Sequence, residues 1–66
     1  MMSQAVDRVR AREAAVNFLQ RYHNVVRVER IVLVDGVWQV DVLVSSPTKR
    51  KLQVEIDSHT GNILCF

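Results

Sequence analysis

A chain of 66 residues has room for one domain, and at that size folding buries only about 60% of the surface the unfolded chain exposes. Its composition, 48% hydrophobic with two glycines and one proline, argues against disorder, and the single cysteine, Cys65, excludes an internal disulfide. The formal net charge of +2, from nine basic and seven acidic residues, is too mild to imply nucleic acid by itself.

From Gln4 to about Tyr22 no proline or glycine interrupts the chain. Placed at 100° per residue, Ala11, Ala14, Ala15, Phe18, Leu19 and Tyr22 gather on one side of a helix. Asp7, Arg10, Glu13, Asn17, Gln20 and Arg21 gather on the other. Ser3 is the expected N-cap, with Asp7 near the positive end of the helix dipole. His23 and Asn24 are expected to end the helix, since asparagine tolerates a left-handed cap.

Beyond Asn24 the periodicity changes from 3.6 to 2. "VVRVERIVLV" (25–34) and "VWQVDVLV" (37–44) are β-branched runs joined by Asp35-Gly36, a strong two-residue hairpin signal. That turn sets Leu33 opposite Trp38, Ile31 opposite Val40 and Glu29 opposite Val42, with Arg30 facing Asp41 as an opposite-charge pair. "SSPT" (45–48) makes the next connection, and Pro47 ends the ladder. "KRKLQVEID" (49–57) alternates again, with Leu52, Val54 and Ile56 on one face. "SHTG" (58–61) reads as a turn and "NILCF" as a short last strand. The expected fold class is α+β, one N-terminal helix on a three- to four-stranded antiparallel sheet, spanning residues 1–66 as a single domain.

The stretch "VWQVDVLVSSPTKRKLQVEIDSHTGNIL" resembles the PepSY family of small domains. In that family an aromatic-led strand leads into a second strand ending in a sequence like V-x-V-D-A-x-T-G-x-V, matched here by Val54 through Ile63. The resemblance implies a helix packed on an antiparallel sheet, and a role in inhibiting peptidases or assisting their folding. Independently of it, Asp57 and Thr60 suit a turn because their side chains bond nearby backbone groups, and Gly61 takes φ > 0 without steric cost.

The residue types that carry catalysis or metal binding are sparse. Ser45 and Ser46 have no histidine at a meaningful spacing. A Cys65–His59 pair would lack a group to orient the base or stabilise an oxyanion. No C-x-x-C or H-x-x-x-H spacing exists for zinc. The expectation is a non-enzyme with no cofactor and no metal.

Three surfaces remain as candidates. Lys49, Arg50 and Lys51 form a compact basic cluster, the alternative nucleic-acid contact, although few aromatic residues accompany it for stacking. The first strand is expected at a sheet edge, open to strand addition by a peptide or protein. The largest signal is an apolar excess. With Ile31, Leu33, Trp38, Val40 and Val42 under the helix, the opposite face carries Val28, Val32, Val34, Val37 and Leu43, which nothing else in the chain covers. A homodimer through that face is the expected assembly. No apolar run approaches the ~20 residues that span a bilayer, and the N-terminal stretch lacks the order of a signal peptide. The sequence as given therefore reads as cytoplasmic with no membrane partner, and a domain excised from an exported protein would share these features.

Overall fold

The change of period at Asn24 is realised as one helix followed by four strands in a computed structural model, which describes residues 6–45 and 48–65. The elements are α1 (Arg8–Leu19), β1 (Val25–Val34), β2 (Val37–Val44), β3 (Arg50–Asp57) and β4 (Ile63–Cys65). They form one antiparallel sheet in the order β1-β2-β3-β4 with α1 packed on one face. The α+β architecture expected from the sequence is therefore present, including the short fourth strand, and β1 lies at an edge.

The helix is shorter than its apolar pattern. Asp7 is the N-cap, and its Oδ1 accepts from the Arg10 backbone N–H at 2.9 Å. Ser3, expected in that role, lies outside the described residues. At the other end Gln20 is an αR cap. Tyr22 and His23 donate to the Leu19 carbonyl at 3.0 and 2.8 Å. Asn24 does not adopt the expected left-handed conformation, because Asp35 is the one non-glycine described residue with positive φ. These tightened bonds close the helix with no left-handed residue. Ala11, Ala15 and Leu19, spaced by four, form the buried stripe. Tyr22 falls past the end of that stripe and is 65% exposed, its ring edge-on to Phe18 at 5.7 Å between centroids.

In the first hairpin Asp35 (φ 50°) and Gly36 (φ 77°) both take left-handed φ, the pattern of a type I′ turn. Val34↔Val37, Leu33↔Trp38, Ile31↔Val40 and Arg30↔Asp41 pair as the turn dictates. The register then shifts twice, at Glu29 and at Val26. Val42 consequently faces Val28, and not Glu29, while Leu43 faces Arg27 and Val44 faces Val25. Each shift inserts one residue into β1 and turns the strand by one side-chain position. The first brings Val28 to the helix side and the second returns Val25 to it, where both pack against the core. The expected placement of Val28 on the open face is thus overturned, since a charged Glu29 would otherwise occupy a core position. The Arg30–Asp41 charge pair is not closed either. Asp41 Oδ1 accepts from Gln53 Nε2 at 3.1 Å, and the ion pair formed in this region is Arg27 Nε to Glu29 Oε2 at 2.9 Å.

The helix side of the sheet is built in rows of cross-strand partners. Leu33–Trp38–Ile56–Ile63, Ile31–Val40–Val54 and Val28–Val42–Leu52 run across it. Val40, Val42, Val44, Val54 and Ile56 are fully buried, together with Ala11 and Ala15. Each such aliphatic side chain contributes roughly 1.5–3 kcal/mol by leaving water, and the alanines let the helix backbone approach closely. Leu33 shares this face but sits on the edge strand beyond the helix, 53% exposed.

The segment entering the helix is held at Val6. Its N–H donates to the Ser58 carbonyl at 2.6 Å, and its carbonyl accepts from Trp38 Nε1 at 2.8 Å. Ser58 N–H in turn donates to the Gly36 carbonyl at 3.0 Å. Gly61 (φ 81°) lies against Val6, where an added Cβ would come within 3.4 Å of its Cγ2. Replacing Trp38 with Phe keeps a ring but removes the donor. The expected result is a loss of about 1–3 kcal/mol in urea unfolding, because the Val6 carbonyl loses its partner in a part-buried setting.

Candidate interaction surface

Opposite the helix, the sheet presents a second set of rows, fixed by the same register. From the turn end they are Val34–Val37–Asp57, then Val32–Gln39–Glu55–Cys65, then Arg30–Asp41–Gln53, then Arg27–Leu43–Lys51. The helix contacts the other side, so no element among the described residues lies over these rows. Val32, Val37 and Leu43 are partly exposed and Val34 is exposed. Four of the five expected apolar residues are therefore brought together on this face, and Val28 is not. The face is also more polar than the valine count suggests, because glutamines and charged residues interleave.

Its charges are segregated. Asp57 and Glu55 lie toward the Asp35-Gly36 turn, Arg30 and Asp41 share the third row, and Arg27 and Lys51 lie at the far end. The Arg27 guanidinium is shared with Glu29.

The outer edge of β1, ten residues long, has no strand beside it among the described residues. Val26 and Leu33 are more than half exposed along it. The bulges at Val26 and Glu29 twist this edge and interrupt its pairing row. Sequence alternation did not reveal them, yet the signal was present: Val25, Val28 and Ile31 recur every three residues where a regular strand requires every two.

The expected basic contact is divided. Arg50 pairs with Val44 in a row on the helix side, whereas Lys51 pairs with Leu43 on the open face, and Lys49 precedes the strand. Alternation along β3 thus sends neighbouring cations to opposite faces. The three are exposed but do not make one patch.

The turn after β3 forms as its residue types dictate. Asp57 Oδ1 accepts from His59 N–H at 2.7 Å and Thr60 N–H at 3.1 Å, and Thr60 Oγ1 accepts from Asn62 N–H at 3.1 Å. The Gly61 N–H closes back on the Asp57 carbonyl at 2.8 Å. Ser58 is buried beneath, against the Gly36 side of the first turn. Cys65, an exposed free thiol, lies on the open face opposite Glu55. Among the described residues no three His, Cys, Asp or Glu side chains cluster as a metal site, no pocket opens, and no helix is long and apolar enough to cross a membrane.

With this geometry in view, comparison with family models, with curated proteins and with solved structures finds no match to the chain.

The backbone bond from His59, then that from Thr60, holds the Asp57 carboxyl below its ordinary value. A lowered folded-state pKa means that the folded chain binds this proton less readily than the unfolded chain. The resulting stability is present above the ordinary aspartate range near ~4 and is lost as pH falls through the folded value. Urea midpoints measured from neutral to acid pH should therefore fall less steeply in an Asp57→Asn variant than in the parent.

Proposed function

We propose that this chain is a non-catalytic interaction module that associates through the uncovered face of its sheet. The observation that carries this reading is the set of Val32, Val34, Val37 and Leu43 on a face that no helix among the described residues covers. Apolar side chains gathered on one face of a small domain usually mark a contact with another protein surface. A single helix can shield only one side of a four-stranded sheet, so a second sheet is the natural cover for the other. The PepSY-like pattern from Val37 to Leu64 agrees with a role in contacting proteins, and a peptidase-inhibitory or chaperone-like action would be of this kind.

A second reading is favoured by the position of β1 at the sheet edge. An extended peptide could pair along its outer side, with Arg27, Glu29 and Arg30 discouraging indiscriminate partners. Face and edge contacts separate by mutation, because edge pairing uses backbone groups that side-chain changes on the open face leave intact. Sedimentation equilibrium over a wide concentration range is expected to show reversible self-association of the parent. The Val32→Lys variant is expected to remain monomeric, with an unfolding midpoint unchanged at dilutions where the parent is also monomeric. Undiminished association of that variant would contradict the face assignment.

A further inference from the structure

We infer that the partner on this face is a second copy turned end for end, so that the row bearing Val37 lies over the partner's Leu43 and Lys51. The inference rests on the preceding reading of the open face as the contact surface and adds the arrangement of the two copies.

Two sheets packed face to face in the aligned mode keep their strands within about 30° of each other. Two copies related by a two-fold axis in the interface plane then have two choices. An axis along the strands lays each row over itself. An axis across the strands lays the first row over the last and the second over the third.

The charges decide between them. With each row over itself, the row of Arg27 and Lys51 lies over the partner's same cationic row, and the row of Asp57 over its own. Like charges brought together out of water cost free energy, more so than at an open surface. With the copies reversed, each strand lies over the partner's same strand, so Asp57 covers Lys51 twice over, while Glu55 covers Gln53 and Arg30 covers Val32. Opposite charges then meet where the first row covers the last, and the middle rows, which hold both Arg30 and Asp41, set no like charges directly over one another.

The apolar residues agree. Val34 and Val37 share the first row and Leu43 lies in the last. Only the reversed arrangement packs Val37 onto the partner's Leu43 in both halves of the interface.

The size of the face sets the strength. Strands of about eight residues at ~3.3 Å each, four abreast at ~4.8 Å, give roughly 500 Å² of flat area. Stable interfaces bury ~800 Å² per partner. The dimer is accordingly weak and reversible, and the charges serve chiefly to fix its orientation. Association should also weaken as salt is raised.

Orientation can be read directly by cross-linking. In a Cys65→Ser background shown by sedimentation to associate like the parent, Val37→Cys and Leu43→Cys variants are prepared separately. A short thiol-to-thiol cross-linker is applied to each alone and to their mixture. In the reversed dimer residue 37 of one copy faces residue 43 of the other, while the two residues 37 lie ~20 Å apart along the strands. The mixture should cross-link several-fold more than either variant alone. Efficient cross-linking of Val37→Cys by itself would overturn the arrangement, as would association without cross-linking in any sample. A parent that stays monomeric at all concentrations would instead remove the underlying face assignment, and the arrangement with it.

Discussion

The structure depends on how the chain is held at Val6, just before the helix. Its N–H and carbonyl are bonded to Ser58 and to the Trp38 indole, two points on the same end of the sheet. Because the indole lies on one face only, this anchorage determines which side of the sheet α1 covers. Everything else follows from that choice. The side with Val40, Val42, Val54 and Ile56 becomes the core, and the side with Val32, Val37 and Leu43 is left without a covering element among the described residues. The last turn takes part in the same junction, since Ser58 reaches both Val6 and Gly36, and Gly61 leaves room for the Val6 side chain. The polar stretch after Asp57 therefore does more than reverse the chain. It ties the helix entry to the first hairpin.

The second constraint is the irregularity of β1. A regular ten-residue strand would have put Glu29 into the core and Val28 onto the opposite face. The bulges at Val26 and Glu29 exchange them, so that the core gains Val28 while keeping Val25, and the open face gains Arg27 beside Arg30 in the cross-strand rows. This exchange makes the uncovered face amphipathic along its length, with valines and carboxylates at one end and arginine, lysine and leucine at the other. The same two extra residues break up the edge of the sheet, where an unbroken strand would invite nonspecific pairing.

Much of this was legible in the sequence because its causes are local. Asp35-Gly36 specifies its turn through φ, the alternation of Leu52, Val54 and Ile56 specifies the faces of β3, and the alanine-bearing stripe specifies the contact side of the helix. What was not legible has nonlocal causes. The helix begins at Asp7 because Val6 is recruited by residues more than thirty positions away. Tyr22 is exposed because the buried stripe ends at Leu19. Val28 faces the helix because a core position excludes Glu29, a consequence that assuming strict alternation cannot yield, although the three-residue spacing of Val25, Val28 and Ile31 marks it. For the candidate surface, the valines and Leu43 were readable from alternation. Their partition with the charges required the true register, and so did the separation of Arg50 from Lys51.

The central claim is that the uncovered sheet face is where this protein meets its partner. Methyl resonances report it most directly, because the relevant side chains are valines and one leucine distributed over distinct surfaces. In a dilution series, the methyl signals of Val32, Val34, Val37 and Leu43 should shift together with concentration. Those of Val9 on the helix and Val26 and Leu33 on the edge strand, all exposed outside this face, should stay fixed. Shifts confined to Val26 and Leu33 would place association at the edge of β1, and the absence of any shift would contradict the account.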